Sequence, residues 1–380
     1  MKKPNLSILI NTLSQGGAER VVSTFLPMLV RDYNVTLCLC YDIISYPIPK
    51  EVKTVILRNG QIQTNPLRKI TELILIRKKY LKFLKTSKIE YSISFLALCN
   101  IVNGFANKKL SNIKTIISER CYPSLMYRSS RATWFIANYI MPKYYNANDI
   151  LFSNSIEINK DLNANFGIDI PMEVIYNPIV ISTFTKEYSD NNPDKFSLVN
   201  VGTIYFTKNQ KLILETINYT ANKSIQLTVF GDGPQQIELE KYSEDSNVSD
   251  QVKFAGRITN VAERLIEHDC FILSSNNEGF PNVLLEAMSV GLACISTNCL
   301  SGPLELLNDN EPIKINQGEF AFAKYGLMIN VGDKIGLSKA INYYKENPTK
   351  LKEFGLLAYN RAKDFEVEKI YHQLKNLIEN

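Results

Sequence analysis

Two glutamates stand eight positions apart in the segment EGFPNVLLE, at Glu278 and Glu286. Two carboxylates near each other could form an acid/base pair, hold a metal, lie on the polar face of a helix, or contact a ligand. The run CFILSS predicts a strand over 270–275, and the residues after the first glutamate predict a helix over 282–290. Glu278 is therefore expected in the loop after a strand, and Glu286 within the helix that follows.

The start of this predicted helix is a candidate anion site. Pro281 lies near its first turn and Gly291 ends it. The backbone N–H groups of residues 280–283 and the helix dipole favour a negative group. Because carboxylates repel phosphate, Glu278 and Glu286 are expected to accept hydrogen bonds from neutral hydroxyls on either side of it, as in a nucleotide-sugar. On spacing alone, a loop glutamate plus a glutamate on a solvated helix face remains an equal alternative.

Short apolar runs alternate with helical patterns along the whole chain. Strands are predicted over residues 6–11, 35–41, 91–96, 115–118, 149–154, 197–202, 226–231, 252–256, 270–275 and 293–298. Helices are predicted over residues 17–32, 68–87, 209–221, 234–245, 260–267, 282–290 and 334–347, with more at the C-terminus. The nearly continuous apolar runs are typical of parallel strands covered by helices on both faces. The two alternating series predict an α/β protein with two Rossmann-like domains.

A chain of 380 residues is too long for one ordinary core. The polar, Pro- and Asn-rich stretch at 182–197 is the predicted linker. We therefore expect an N-terminal domain over 1–181 and a C-terminal domain over 182–360. The tail at 361–380 carries apolar residues at helical spacing and is expected to form a helix that packs back on the first domain.

Charge is divided unevenly along the chain. Residues 1–170 carry 23 Lys and Arg against 11 Asp and Glu, a net +12, and the remainder carries 20 against 27, a net −7. A basic half of this kind indicates an anionic partner, with nucleic acid and an anionic membrane surface as the main candidates. Seven cysteines without a CxxC pair indicate free thiols in a reducing compartment. No segment approaches the roughly 18 apolar residues of a membrane span.

The segment NNEGFPNVLLEAMSVGLACISTNCLSGPLELL (276–307) resembles the signature of family 4 glycosyltransferases, a glutamate followed by seven residues and a second glutamate. Further matching segments are SQGGAERV (14–21), VIYNPI (174–179), VGTIYFTKNQ (201–210), VFGDGP (229–234) and VKFAGRI (252–258). The resemblance covers nearly the full chain. It implies a retaining enzyme of the GT-B fold, in which two Rossmann-like domains face each other across a cleft. The similar enzymes are bacterial transferases that extend lipid-linked oligosaccharides for N-glycan, O-antigen or capsule.

The resemblance implies a role for each matching residue. Glu286 would hold the ribose hydroxyls of the donor, Glu278 would hold hydroxyls of the transferred sugar, and Lys208 would neutralise the departing diphosphate. The other implied donor-binding residues are Gly16, Gly17, Thr203, Gly256, Arg257, Ile258, Gly279, Phe280, Pro281, Asn282 and Val283. Arg20 is predicted on the acceptor side. For Lys208 alone, an exposed loop lysine is the alternative, and Glu19 could simply favour a helix start.

Two positions depart from the family pattern. Thr203 stands where an arginine commonly follows the glycine, so one phosphate-neutralising cation is missing. Glu119 and Arg120 stand where some relatives read Glu-His. Glu119 is predicted to be a catalytic residue on the acceptor side, with a salt-bridged structural glutamate as the equal alternative, and Arg120 is predicted to face the acceptor. The two histidines, His268 and His372, lie in the second half and are expected to be structural.

The sequence contains no Asp-x-Asp pair and no cluster of histidines and carboxylates. No metal or other cofactor is therefore predicted, because the helix N-terminus and Lys208 would supply the positive charge. The expected mechanism is transfer with retention: the acceptor hydroxyl attacks on the face that the nucleoside diphosphate leaves, and the departing phosphate takes the proton. A dehydrogenase is not expected, since no GxGxxG follows the first strand.

The resemblance implies a UDP-linked donor carrying a hexose or N-acetylhexosamine, with N-acetylgalactosamine favoured, and a polyprenyl-diphosphate-linked glycan as acceptor. Two alternatives stay open. A nucleotide-sugar epimerase on the same scaffold would turn over the donor without an acceptor. The second alternative is a catalytically silent partner in a glycan-assembly complex. It is motivated by Thr203 in place of an arginine and by the absence of a histidine from the first domain.

Two segments of the first domain predict a membrane-facing surface. The basic residues Arg68, Lys69, Arg77, Lys78, Lys79, Lys82, Lys85 and Lys88 alternate with apolar ones in one predicted helix. Residues 122–145 concentrate Trp134, Phe135, five tyrosines and Arg128, Arg131 and Lys143. For either segment taken alone, a helix that covers the sheet and exposes a solvated basic face is an equal alternative. Together with the basic balance they favour peripheral binding to the inner face of the cytoplasmic membrane. Nucleic acid is not expected, because no known binding module occurs.

Overall fold

The structure is a computed structural model that describes residues 2–14, 16–60, 66–110, 112–127, 130–188 and 195–380, with the backbone alone for 66–70. Two compact units make up the fold: Met1–Pro178 with Val367–Asn380, and Ile179–Glu366. These boundaries lie three and six residues from those expected at 181 and 360. They fall there because the backbone N–H of Ile179 donates to the carbonyl of Phe365 at 2.8 Å, which joins the two ends of the second unit.

The described part of the first unit contains a seven-stranded sheet in which every strand pair is parallel. Its strands are β1 (Asn5–Ile10), β2 (Asn34–Tyr41), β3 (Lys53–Arg58), β4 (Tyr91–Phe95), β5 (Lys114–Glu119), β6 (Ile150–Ser153) and β7 (Met172–Val174), in the order β3-β2-β1-β4-β5-β6-β7. Its helices are α1 (Gly17–Asp32), α2 (Pro66–Thr86), α3 (Ala97–Asn107), α4 (Pro123–Tyr127), α5 (Arg131–Phe135), α6 (Met141–Tyr145) and α7 (Ile156–Phe166). A π-helical turn at Ile136–Ile140 joins α5 to α6.

The second unit repeats this plan around another seven-stranded sheet in the described residues. Its strands are β8 (Phe196–Val201), β9 (Ile225–Phe230), β10 (Val252–Gly256), β11 (Cys270–Leu273), β12 (Ala293–Thr297), β13 (Phe320–Ala323) and β14 (Gly326–Ile329), in the order β10-β9-β8-β11-β12-β14-β13. Its helices are α8 (Gln210–Thr220), α9 (Gln236–Asp245), α10 (Val261–Leu265), α11 (Asn282–Ser289), α12 (Pro303–Asn308), α13 (Lys334–Glu346) and α14 (Pro348–Ala362). Only the edge pair β13–β14 is antiparallel among these strands.

The last helix, α15 (Val367–Glu379), belongs to the first unit. Lys375 Nζ donates to Asp32 at 2.7 Å, and Tyr371 also donates to this carboxylate. Tyr33 donates to Glu379 at 2.9 Å, and the apolar face of the helix is buried in the first unit's core. The predicted return of the C-terminal helix is therefore present, although the helix begins at residue 367 rather than at 361.

All ten predicted strands and all seven predicted helices are present, with ends that differ by at most two residues. The predicted α/β class with two Rossmann-like sheets is confirmed. The strands β3, β7, β13 and β14 were not predicted. Each of these four lies at or next to a sheet edge. The strands β3, β7 and β13 are only partly buried, whereas β14 is buried throughout, and β7, β13 and β14 span only three or four residues, which is too short for a distinct apolar run.

Candidate active site

Two residues predicted to bind the donor, Lys208 and Glu278, are in contact in the second unit. Lys208, in the loop after β8, places Nζ 2.7 and 2.8 Å from the two carboxylate oxygens of Glu278, in the loop after β11. Because β8 and β11 are parallel neighbours, their following loops meet at one edge of the sheet. Ser275 Oγ also donates to Glu278 at 2.6 Å. The carboxylate is buried, while Lys208 keeps 30% of its side chain exposed.

Four hydrogen bonds fix the loop after β8 to the loop after β11. Asn276 donates from its backbone N–H to Thr207 O and from Nδ2 to Phe206 O, both at 2.8 Å. Ser274 Oγ donates to Lys208 O at 2.8 Å. Asn209, in the left-handed conformation with φ +50°, donates to Asn276 Oδ1 at 3.1 Å. The backbone on both sides of the ion pair is therefore positioned before any ligand arrives.

Gly302 lies against the loop that precedes α11. Its φ is +93°, and a Cβ built there would lie 2.5 Å from Pro281 Cδ. Next to it, Ser301 Oγ donates to Gly279 O at 2.5 Å. The segment Gly279–Pro281 is therefore braced from the loop after β12, which requires a residue without a side chain.

Glu286 is buried within α11, four residues after the helix begins at Asn282. Pro281 occupies the N-cap position of α11, and its carbonyl accepts from the backbone N–H of Leu284 at 3.0 Å. Gly291, with φ +74°, follows the last turn. The loop-plus-helix arrangement predicted for Glu278 and Glu286 is therefore present, and neither glutamate lies on a solvated helix face, because both are buried.

The other predicted donor-site segments surround the end of β8. Gly231 and Gly233 allow the loop after β9 to lie directly on the backbone of residues 202–204, since a Cβ on either would come within 2.3 Å of a carbonyl oxygen. Gly256 accepts from the Gly231 N–H at 2.8 Å. Ile258 is half-buried, and the exposed Arg257 pairs with Asp232 at 2.7 Å. Thr203 is exposed, and its carbonyl accepts from Gln210 Nε2.

In the first unit, the predicted glycine loop follows β1. Gly16 caps α1 with an extended backbone, and Gly17 begins the helix. Glu19 folds back so that Thr12 and Ser14 donate to its Oε1 at 3.3 and 3.4 Å, and a Cβ on Gly16 would collide with this carboxylate. The first glycine therefore makes room for Glu19. Arg20 is half-buried in the first turn of α1.

Glu119 and Arg120 are buried at the carboxyl end of β5. Tyr145 donates to Glu119 Oε2 at 2.7 Å, and the Arg120 backbone N–H donates to Oε1 at 3.2 Å. Burial raises the pKa of the Glu119 carboxyl, and it lowers the pKa of the Arg120 guanidinium to about 9. No described residue forms a salt bridge with Glu119, so the salt-bridged alternative predicted from the sequence is not observed.

The fold is shared with solved structures that include glycosyltransferases. The crystal structure of Anabaena Alr3699/HepE in complex with UDP aligns with a TM-score of 0.76 at 15% identity, covering 98% of this chain and 99% of that protein. At this identity the likeness concerns the fold alone.

Two Campylobacter jejuni proteins are similar along almost the whole sequence. The first is N-acetylgalactosamine-N,N'-diacetylbacillosaminyl-diphospho-undecaprenol 4-alpha-N-acetylgalactosaminyltransferase, at 28% identity over 96% of each chain. The second is GalNAc-alpha-(1->4)-GalNAc-alpha-(1->3)-diNAcBac-PP-undecaprenol alpha-1,4-N-acetyl-D-galactosaminyltransferase, at 28% identity over 98% of each chain. The family model described as "Glycosyl transferases group 1" matches residues 182–361, which include Lys208, Glu278 and Glu286. The chain is a glycosyltransferase. The resemblance found in the sequence is thereby confirmed.

The predicted basic helix of the glycosyltransferase is α2. Its exposed face carries Lys78, Lys79 and Lys82, while Arg77 turns away and stacks its guanidinium 3.8 Å from the ring centre of Phe105 on α3. Phe105 in turn lies 6.4 Å from the ring of Tyr144. The helices α2, α3 and α6 therefore pack side by side in one layer.

An exposed apolar surface follows in the same unit of the glycosyltransferase, on α4, α5 and the π-helical turn. Its members, here the aromatic surface, are Leu125, Met126, Trp134, Phe135, Ile136 and Tyr139, each 37–59% exposed. Arg131 and Lys143 are exposed nearby in the sequence, and Arg128 lies outside the described residues. Met141 and Tyr145, from the same predicted stretch, are buried instead.

The described residues contain neither a group of three or more side chains arranged to hold a metal ion nor a helix long and apolar enough to cross a membrane. His268 is buried beside Ser197, whereas His372 is exposed on α15. Three positioning residues of the glycosyltransferase site were missed by the sequence analysis: Ser275, Asn276 and Gly302. Ser275 lies at the end of the strand predicted over 270–275, and Asn276 lies in the predicted loop before Glu278. Polar residues between an apolar run and a candidate carboxylate were therefore the available signal.

Proposed function

We propose that the protein is a retaining glycosyltransferase that moves a hexose or N-acetylhexosamine, N-acetylgalactosamine being favoured, from a UDP-sugar to a lipid-linked oligosaccharide. The observation that carries the proposal is the contact between Lys208 and Glu278 at the carboxyl edge of the second sheet, beside the start of α11. Two adjacent loops thus bring together the groups that a nucleotide-sugar needs. The cation and the helix N-terminus suit the diphosphate, and the carboxylate suits the hydroxyls of the sugar.

The donor would lie along these loops. First-turn amides of α11 and Lys208 meet the diphosphate, Glu278 accepts from sugar hydroxyls, and the buried Glu286 accepts from the ribose hydroxyls. Lys208 and the α11 amides stabilise charge as it develops, because negative charge grows on the diphosphate while the bond to the sugar breaks.

The chemical step breaks the bond between the anomeric carbon and the diphosphate oxygen and forms a bond from that carbon to the acceptor oxygen on the same face. The acceptor proton passes to the departing phosphate, so UDP leaves with the electron pair. The protein supplies positioning and positive charge. We expect no metal requirement, and treatment with EDTA should leave turnover unchanged, because Lys208 and the α11 N-terminus provide the charge that a divalent ion would bring.

The acceptor assignment is supported by two relatives, both named for transfer of N-acetylgalactosamine to undecaprenyl-diphosphate-linked sugars. UDP as the nucleotide is supported by the solved neighbour that was crystallised with it. Each relative is similar over almost its full length.

A membrane position is supported by the first unit. The exposed lysines of α2 and the aromatic surface belong to segments that share one helix layer through α3 and α6. Cationic side chains attract anionic headgroups, while exposed Trp, Phe and Tyr enter the interface. We therefore infer that the enzyme binds peripherally at the inner face of the cytoplasmic membrane, where a polyprenyl-linked acceptor is presented.

The deciding experiment incubates the purified protein with a panel of UDP-sugars and follows UDP release with and without a lipid extract that contains polyprenyl-diphosphate glycans. Release that requires both one UDP-sugar and the extract, with the sugar recovered on lipid, is the expected result. Conversion of the donor to another sugar without extract would identify the epimerase alternative. No turnover with any donor and acceptor would favour the silent assembly partner.

A further inference from the structure

The guanidinium of Arg120 is held in the interior of the first unit, directly after β5. Its Nη1 donates to Asn177 Oδ1 at 2.8 Å. Its central carbon lies 5.3 Å from the ring centre of Phe95 and 5.0 Å from that of Phe152. Only 6% of the residue is exposed. Arg120 is therefore fixed in place by one amide and two aromatic rings.

The remaining edge of this guanidinium has no partner within the described residues. Both Nε and Nη2 are buried without a hydrogen-bond acceptor there. These two nitrogens direct parallel N–H groups to one side, which is the geometry that binds two oxygens of a carboxylate or phosphate at once. The unfilled edge can therefore bind a planar or tetrahedral oxyanion through two hydrogen bonds.

The neighbouring carboxylate of Glu119 does not bind the Nε and Nη2 edge of Arg120. Glu119 lies next in sequence, but its oxygens accept from Tyr145 and from the backbone of Arg120. In the described part of the chain no carboxylate comes within ion-pair distance of Arg120. The Glu119 carboxylate favours the charged form of Arg120 without touching the guanidinium. A buried cation with no oxyanion in contact is costly, so an anion from outside the chain would stabilise it.

The position of Arg120 in the sheet indicates that this anion belongs to a substrate. Arg120 follows a strand in the middle of a parallel sheet, between β4 and β6, at the edge where open α/β sheets bind ligands. We propose that the Nε and Nη2 edge of Arg120 binds two phosphate oxygens of a diphosphate group. This inference rests on the proposed function, which supplies two such groups: the diphosphate of the nucleotide donor and that of the prenyl-linked acceptor.

The test measures binding rather than turnover. Wild type, Arg120→Met and Arg120→Lys are titrated calorimetrically with UDP and, separately, with farnesyl diphosphate as a short prenyl diphosphate. We expect Arg120→Met to weaken at least one of the two by tenfold or more, and Arg120→Lys to weaken it less, since lysine retains the charge but loses the fork. Loss for UDP alone assigns the donor, loss for farnesyl diphosphate alone assigns the acceptor, and loss for both assigns a shared site.

A matched control is Arg58→Met in the same unit. Arg58 pairs with the buried carboxylate of Glu72 at 3.1 Å, so its removal is expected to lower thermal stability and to leave both affinities unchanged. Arg120→Met should behave in the opposite way, with a melting temperature at or above that of wild type and weakened diphosphate binding. If both ligands bind Arg120→Met and Arg120→Lys as tightly as they bind wild type, the inference is overturned.

Failure of the proposed function gives a different pattern. A protein that binds diphosphates in an Arg120-dependent way, yet transfers no sugar from any donor, would retain the anion site and lose the transferase assignment. A protein that transfers sugar normally when Arg120 is methionine, with unchanged affinity for both ligands, would keep the function and lose this site.

Discussion

The ammonium of Lys208 lies between the two carboxylate oxygens of Glu278, at 2.7 and 2.8 Å. The proposed function assigns these groups to neighbouring parts of the donor, the lysine to the leaving diphosphate and the glutamate to the sugar. Without substrate they neutralise each other. Donor binding must therefore exchange this ion pair for two ligand contacts, and the pair keeps both side chains in position until then.

Lys208→Met should lower kcat by about 10²- to 10³-fold, the size expected when one donor to a developing negative charge is removed. It should also lower the free energy of unfolding by roughly 1 to 3 kcal/mol, because Glu278 is left buried with Ser275 as its remaining side-chain donor. Adding Glu278→Gln should recover part of that stability. Urea denaturation and UDP-release rates measure the two effects.

Lys211→Met is the control for this pair, since Lys211 is exposed and lies 3.8 Å from an exposed glutamate. Its stability should change by less than about 0.5 kcal/mol. Additive effects of the Lys208 and Glu278 changes, with no recovery in the double variant, would mean that the observed contact contributes nothing to the folded protein.

Glu286→Gln should raise the Kd for UDP by tenfold or more, because an ionised carboxylate accepts from hydroxyls about twice as strongly as a neutral amide. The carboxylate is buried in α11, so a folding check by circular dichroism accompanies the titration. Glu244→Gln, on the exposed face of α9, is the matched control and should bind UDP as wild type does. Unchanged affinity in Glu286→Gln would remove the ribose role.

Much of the donor-site arrangement follows from the sequence. Apolar runs located the strands, and in a parallel sheet the loops after neighbouring strands share one edge. Lys208 and Glu278 could therefore be expected near each other without knowing a single side-chain angle. The buried position of Glu286 was harder to predict, because its helix could equally have exposed that face to solvent.

Other contacts depend on packing that local pattern does not encode. The basic spacing in α2 predicted Arg77 beside Lys78, but Phe105 of α3 draws its guanidinium inward. Arg120 meets Asn177 across 57 positions of sequence. In the sequence Gly302 looks like an ordinary loop glycine, and only its contact with the backbone of residues 279–281 shows why a side chain does not fit there. Each requires the relative position of two elements, which no periodicity supplies.

Gly302→Ala should lower the free energy of unfolding by roughly 2 to 4 kcal/mol, from a left-handed backbone and from a Cβ that meets Pro281 Cδ at 2.5 Å. Gly332→Ala is its control: its φ is +74°, yet a Cβ there would meet nothing within 4 Å, so only about 1 to 2 kcal/mol is expected. Equal losses in the two variants, by urea denaturation, would show that the contact with the 279–281 loop is not restrictive.

Replacing Lys78, Lys79 and Lys82 with glutamate should reduce flotation with vesicles that contain anionic lipid, since each lysine near such a surface contributes about 1 kcal/mol. Raising the salt concentration should weaken wild-type binding in the same direction. The control makes the same charge change in the second unit, at the exposed Lys241, Lys253 and Lys352. A control that leaves the vesicles as readily as the α2 variant would indicate net charge rather than the basic helix as the cause.

The aromatic surface gives an independent arm of the same experiment. Serine at Trp134 and Phe135 should reduce binding to vesicles even at high salt, because the lost contribution is apolar rather than electrostatic. Exposed Tyr219 and Phe322 of the second unit, changed to serine, provide the matched control. Vesicle binding that is insensitive to Trp134 and Phe135 would leave the lysines as the whole membrane contact.

The last prediction concerns acid. Burial lowers the pKa of His268 to about 4 from its ordinary 6.5. Its Nδ1 lies 2.8 Å from Ser197 Oγ, and its Nε2 is buried with no hydrogen-bond partner in the described residues, so a second ring proton would have no acceptor. The unfolded chain therefore binds this proton more readily than the folded one does.

Between pH 4 and 6.5 the unfolded state holds more protons at His268, so the free energy of unfolding should rise with pH across this window and level off above it. The total is on the order of 3 kcal/mol. His268→Asn should flatten the curve, whereas His372→Asn, at an exposed position, should leave the wild-type slope. Urea denaturation at a series of pH values measures it, and parallel curves for wild type and His268→Asn would assign the acid sensitivity to other groups.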